Sequence, residues 1–291
     1  MNTRRTFIKQ SGLLTAGLMM NPADMLKKQK KVGLQLYSVR DEIVKDPKTV
    51  IQKVAAAGYS DVEMYGLSAE NKFYGLTVDE LAQVLKNNNL KSPSGHYAPE
   101  KFLYENGNGD DVKNFCEVGH KLGHSHIIIP WLKEENRKTI DQYKTLAERI
   151  NKAGEICKAA GLQLAYHNHD FEFKDMNGEH GYDILLNNTD SKLVKMEMDI
   201  YWVVRAGYQP VELFKKHPGR FPFWHVKDMD KKDNTKNTEV GNGTVDFKTI
   251  FASAKLAGVK HYIVEQENNY VPDMFASIKT SADYTKTSLM K

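Results

Sequence analysis

Cysteine is nearly absent from this 291-residue chain, which has only Cys116 and Cys157. Two thiols so far apart supply neither a CxxC metal pair nor a disulfide framework. Both fall in helix-patterned stretches among apolar and small residues, and they read as buried free thiols. Long apolar runs are missing as well. None approaches the roughly 18 residues of a bilayer span, which excludes a membrane-crossing helix. There is no glycine-rich dinucleotide loop either. Gly33 stands alone before Leu34-Gln35-Leu36-Tyr37-Ser38-Val39, where an open dinucleotide-binding sheet would carry GxGxxG. Gly241-Asn242-Gly243 lacks the lysine and spacing of a phosphate loop. It reads as a tight turn before the last helix, with Asp246 as that helix's N-cap.

Charge of one sign is scarce too. The formal net charge is +4, with 41 basic and 37 acidic residues. The first twenty residues hold Arg4, Arg5 and Lys9 and no acid, and without those three the balance is 38 against 37. A surface that tracks nucleic-acid phosphates needs a larger excess or a basic stripe, so nucleic acid is not an expected partner. The paired arginines precede Phe7-Ile8-Lys9 and a modest apolar block over 11–20. This resembles a twin-arginine export signal and implies an exported, periplasmic protein. No Ala-x-Ala site or lipobox cysteine marks a cleavage point. Residues 1–30 are expected to be signal and linker, and 31–291 the folded domain, with mean hydropathy −0.56 over the whole chain.

From residue 32 onward, short β-rich runs alternate with amphipathic stretches of helical period. Eight strands are expected, at 32–37, 61–65, 91–97, 125–130, 163–169, 194–199, 223–228 and 262–267. Helices are expected at 47–57, 78–87, 112–122, 140–160 and 247–257. A weak repeat supports the pattern: Ala55-Ala56-Ala57-Gly58, Lys158-Ala159-Ala160-Gly161 and Lys255-Leu256-Ala257-Gly258 each end a helix on glycine shortly before a strand. Strand–helix alternation implies right-handed crossovers and a parallel sheet. Eight units without a Pro/Gly-rich linker favour a closed (β/α)8 TIM barrel of α/β class.

In such a barrel the site lies at the carboxyl ends of the strands. Six of the eight expected ends are polar: Glu63-Met64-Tyr65, Gly95-His96-Tyr97, Tyr166-His167-Asn168-His169-Asp170, Glu197-Met198-Asp199, Trp224-His225-Val226-Lys227-Asp228 and Val264-Glu265-Gln266-Glu267. Side chains alternate along a strand, so His167 and His169 share a face, as do Glu197 and Asp199, and His225 and Lys227. Imidazoles and carboxylates converging at one mouth suit a divalent Mn, Co, Zn or Mg ion. A lone His or Glu there would be an ordinary structural group. Six such ends together indicate a metal or polar-substrate site.

The stretches Met196-Glu197-Met198-Asp199-Ile200-Tyr201, Trp224-His225-Val226-Lys227-Asp228, Val240-Gly241-Asn242-Gly243-Thr244-Val245-Asp246-Phe247 and Val264-Glu265-Gln266 resemble the xylose isomerase-like barrel superfamily of sugar isomerases and epimerases. The resemblance spans about 32–290. It implies one divalent metal bound by Asp199, His225 and Glu265 and by a residue of the fifth strand. The family's glutamate is absent from that strand. His167 is the expected replacement, with His169 as competitor. The resemblance also implies Glu265 as base, with His169, Lys227 or His96 supplying a proton. Glu63, Glu172, Tyr37 and Trp202 are the expected substrate contacts. Relatives with His-rich fifth strands include inosose dehydratases and enzymes of 3-keto sugars, so a lyase or hydratase acting on a keto-sugar or glycoside is expected. Its rivals are a true ketose epimerase and a non-catalytic sugar-binding barrel. The expected partner is a small sugar, and a homo-oligomer is allowed. Endonucleases of abasic DNA share this barrel, but the charge balance and export signal argue against that class.

Overall fold

The computed structural model describes residues 30–290. The arginine pair and apolar block expected to form the export signal lie outside the described residues. Eight parallel strands close into a barrel: β1 (Gly33–Gln35), β2 (Asp61–Met64), β3 (Lys91–His96), β4 (His126–Ile129), β5 (Gln163–His167), β6 (Val194–Asp199), β7 (Phe223–Val226) and β8 (His261–Val264). Each strand pairs with its sequence neighbours, and β1 closes the ring against β8. This is the expected (β/α)8 barrel. Among the described residues no helix is long and apolar enough to cross a membrane.

Helices α1 (Pro47–Ala56), α2 (Val78–Asn87), α3 (Asp110–Leu122), α4 (Ile140–Ala159), α5 (Gly181–Asn188), α6 (Pro210–Lys216), α7 (Phe247–Ala252) and α8 (Met274–Tyr284) are the principal outer helices. Their starts are written locally. Thr77 and Thr139 form capping boxes with Glu80 and Gln142, and Asp46, Asp246 and Asp273 cap through their carboxylates. The three repeated glycines adopt the left-handed conformation, with φ of +96°, +78° and +78° at Gly58, Gly161 and Gly258. A side chain would be strained there, which is why the helix-to-strand corner repeats on glycine, each time after an alanine.

Several expected boundaries shift. The first, fifth, seventh and eighth strands stop two to three residues short of expectation, because the chain turns into loops that carry the site. The expected helix at 247–257 breaks at Ser253 into α7 and a short turn, Ala254–Ala257. Nor is α7 the last helix, since α8 follows β8. The main apolar core lies between sheet and helices, while Ile128, Ala165, Phe223 and Ile263 form a separate plug inside the barrel. That plug leaves the upper interior to polar groups. Cys116 and Cys157 are buried and free, with sulfurs 3.8 Å apart, well beyond a disulfide bond.

Candidate active site

The strand register brings the polar ends together. Glu197 lies level with His167 on β5, and Asp199 level with His225 on β7. Above the apolar plug, Glu197 Oε2 meets three imidazoles: His96 Nε2 at 2.8 Å, His167 Nδ1 at 3.0 Å and His225 Nε2 at 3.3 Å. Glu63 Oε1 shares two of them, at 3.1 Å from His96 and 2.8 Å from His225. Gln35 donates to the same oxygen at 2.7 Å, and Ser94 donates to Glu63 Oε2 at 2.5 Å. Glu63 and Glu197 are fully buried, so their charge persists only because imidazole, amide and hydroxyl donors surround it.

This arrangement fixes the other imidazole nitrogens. With Nε2–H of His225 and Nδ1–H of His167 directed at carboxylates, the neutral rings present lone pairs at His225 Nδ1 and His167 Nε2. Without a cation, His225 Nδ1 instead holds a proton shared with Glu265, which a cation would displace. These two nitrogens lie 3.9 and 4.0 Å from Asp199 Oδ2, and His225 Nδ1 lies 3.1 Å from Glu265 Oε2. Asp199 Oδ1 caps the following short helix by accepting from the Trp202 amide at 3.1 Å. Its Oδ2 is buried and accepts no hydrogen bond. Ligand atoms of Asp199, His225 and Glu265 lie within 4.8 Å of one another. The orphaned Asp199 oxygen, one Glu265 oxygen and the outer ring nitrogens of His225 and His167 are a donor set that fits a divalent cation. A second group of atoms, from His96, His167, Glu197 and His225, is as compact. Its short contacts are nitrogen-to-carboxylate hydrogen bonds, three of them to Glu197 Oε2, and it too has a buried oxygen without a partner, Glu197 Oε1. We read it as the support of the first set because one Glu197 oxygen already binds all three rings.

Electrostatics follow the same division. Burial pushes the His96 imidazole down, but Glu63 and Glu197 overcome this and hold it at about 9. His225 is likewise held well above its usual range by Glu197 and Glu265 against burial. Burial, aided by the neighbouring imidazole of His225, keeps His167 well below it. Burial lifts Asp199 to about 7 despite Lys227. Glu265 resists burial and stays well below the carboxylate range because Lys227 and His225 face it. Lys227 is fully buried, 3.0 Å from Glu265, 3.6 Å from Asp199 and bonded to Glu267. Burial lowers its affinity for a proton, yet these carboxylates raise it well above the ordinary lysine range.

A cavity of about 530 Å³ opens above this layer. His96, His167, His169 and Glu265 reach it, as do Tyr37 and Trp202 from the expected substrate contacts. Two expected contacts do not. Glu63 lies beneath His96 and His225 as their anchor. Glu172 is fully buried, accepting from the Tyr166 hydroxyl and from the His169 amide at 2.8 Å. It follows the last β5 residue at the base of a loop and holds that loop's shape. The three expected proton donors also separate. Lys227 lies behind Glu265 and Glu267 as a fixed positive charge. His169 is driven down to about 3 by burial and Lys227, and so is neutral. Only His96 both lines the cavity and carries a proton. Sequence places Glu197 on the face of Asp199 among the converging carboxylates but assigns it no separate role, and assigns none to Gln35, Ser94 or Glu267, nor to the aromatic lining residues Tyr65, Tyr97, Phe115 and Trp131. Period-two alternation before Asp199 was the available signal for Glu197.

A closed parallel barrel with imidazoles and carboxylates gathered at its carboxyl mouth has the layout of a barrel enzyme's active site. The xylose isomerase-like TIM barrel family model matches residues 51–288, and the chain belongs to that family. It is 24% identical over 236 residues to an inosose dehydratase of Geobacillus kaustophilus, covering 70% of this chain and 74% of that one. A sugar phosphate isomerase/epimerase of Parabacteroides distasonis is 29% identical, with TM-score 0.79, covering 89% of this chain and 94% of that one. An IolI protein with a bound zinc atom shares the fold at TM-score 0.68 and 15% identity, covering 88% of this chain and 96% of that one.

Two outcomes are expected. His225→Ala should lower bound divalent metal by 10- to 100-fold or more, and Glu197→Gln by roughly 10- to 100-fold through loss of imidazole support. Metal analysis of the purified variants checks this, and unchanged content in both would refute the assignment. Separately, burial raises Glu172 from 4.5 to about 7, so the folded chain holds that proton more tightly than the unfolded chain. Its contribution to stability is full below about pH 4.5 and declines as pH rises towards 7. Denaturation across this window should show a flatter pH slope for Glu172→Gln than for the parent, and an identical slope would contradict the shift.

Proposed function

We propose that the protein is a divalent-metal-dependent lyase or hydratase acting next to the carbonyl of a keto-sugar or glycoside. The metal ligands are His167, Asp199, His225 and Glu265. When bound, the ion polarises a carbonyl oxygen and stabilises negative charge on it. The IolI protein of the same fold, which carries zinc, and the inosose dehydratase relative support this reading.

One observation carries it: β5 presents His167 where a second metal-binding carboxylate would stand. Inversion at a carbon needs bases on both faces of the substrate, whereas elimination needs one base and one acid. Glu265 faces the cavity and takes the proton from the carbon beside the carbonyl. The electron pair left behind forms the new carbon–carbon double bond, and the group on the next carbon departs with its own pair. His96 gives that group a proton. Glu63 and Glu197 keep His96 oriented and charged, and hydration is the same path reversed. Lys227 stays charged beside Glu265 and Asp199 and offsets the carboxylates.

Metal-loaded protein incubated in deuterated water with 3-keto glycosides, inososes and free ketoses tests the proposal by product analysis. The expected result is an unsaturated or hydrated product with a released leaving group. Glu265→Gln should lower the rate by about 10²–10⁴. Clean formation of an epimer labelled at the inverted carbon, with no leaving group, would replace this reading with an epimerase.

A further inference from the structure

The cavity divides by chemistry. Its floor holds His96, His167, His169, Glu265 and Glu267, while its walls are aromatic. Two wall residues, Trp131 at 45% and Tyr37 at 39%, stand among the few exposed large hydrophobic side chains. They follow β4 and β1, on roughly opposite sides of the ring. Trp131 is braced rather than loose. Its ring meets Phe171 edge-on at 4.9 Å and His169 at 5.3 Å, and the Arg137 guanidinium lies 5.0 Å away. Tyr37 meets Tyr65 edge-on at 5.1 Å, under Arg40. Exposed aromatic surface held rigid at a cavity mouth is a ready stacking platform, because little ordering entropy is lost on binding.

Phosphate recognition, by contrast, is closed off. Among the described residues no lysine or arginine lines the cavity, and two carboxylates do. Barrels commonly bind phosphate with backbone amides of the loops after strands seven and eight. After β7 those amides already hold an anion of the chain itself. Asp228 accepts from Met229 N at 2.8 Å, Gly241 N at 2.8 Å, Gly243 N at 3.0 Å and Val245 N at 3.2 Å. A Cβ at Gly243 would fall 2.2 Å from the Asp228 carboxylate, so the nest fits that carboxylate without spare room. The loop after β8 brings Glu267. Arg40, the nearest guanidinium there, donates to the backbone carbonyls of Glu267 at 2.8 Å and Tyr37 at 3.2 Å.

We infer that the site takes an unphosphorylated two-unit ligand, a glycoside whose sugar ring meets the polar floor and whose second unit stacks on Trp131. The inference deepens the function proposed above and rests on reading the floor as a sugar site. A single hexose leaves much of a 530 Å³ cavity unfilled. A second ring on the glycosidic oxygen fills the aromatic half and occupies the place from which a leaving group departs.

Calorimetric titration of the metal-loaded full chain tests this with a phenyl glycoside, the methyl glycoside of the same hexose, the free hexose and its 6-phosphate. The phenyl glycoside should bind roughly 3- to 10-fold more tightly than the methyl glycoside. Trp131→Ala should weaken the phenyl glycoside more than the methyl glycoside and so erase that difference, and the 6-phosphate should bind no better than the free hexose. Tighter binding of the 6-phosphate, equal weakening of both glycosides in Trp131→Ala, or binding of none of the four would overturn the inference. The readout is independent of turnover. Epimer products with the binding order intact would refute the elimination reading alone, and elimination products with the order reversed would refute this one alone.

Discussion

One carboxylate inside the barrel, that of Glu197, holds three imidazoles in place. A fully buried carboxylate without partners would cost several kcal/mol, so Glu197 and the rings of His96, His167 and His225 stabilise one another. Glu63 adds a second brace, itself fixed by Gln35 and Ser94. Because the braces accept one nitrogen of each ring, the opposite nitrogens of His167 and His225 are left to face Asp199. Ring orientation, and with it the set of nitrogens turned toward Asp199, thus follows from carboxylates and polar side chains beneath the cavity.

The barrel supplies the means. Parallel register sets Glu197 level with His167 and Asp199 level with His225, and the plug of Ile128, Ala165, Phe223 and Ile263 closes the interior below them. Asp199 has two separate duties, with one oxygen capping a helix and the other free. Lys227 reaches the same carboxylates from the far side, so the layer carries a permanent positive charge besides any cation. Above it, aromatic walls give the mouth a surface suited to ring faces rather than to charge.

Much of this was legible in the sequence, and what was missed has physical causes. The barrel followed from strand–helix alternation and from the Ala-Gly corners, whose left-handed glycines mark helix ends through local sterics alone. Asp199, His225 and Glu265 could be named because they lie in polar strand-end stretches that resemble the xylose isomerase-like family. Position at a strand end does not reveal depth, so it assigns Glu63 to the substrate, and the family resemblance assigns Glu172 there. Glu63 lies one layer too low, and Glu172 turns inward to Tyr166 and the His169 amide. The three candidate acids could not be ranked, since that depends on which carboxylates surround each group. Trp131 gave no signal at all: it lies beyond a strand end in a loop without periodicity.

The central claim is that Glu197 supports the imidazoles from outside the metal while Asp199, His225 and Glu265, with His167, hold it. Anomalous diffraction from crystals grown with a divalent zinc salt tests this most directly. The account predicts one ion within about 2.0–2.3 Å of Asp199 Oδ2, His225 Nδ1, Glu265 and His167 Nε2, with Glu197 hydrogen-bonded to the far side of the rings. An ion seated instead among His96, Glu197 and the opposite ring nitrogens would contradict it.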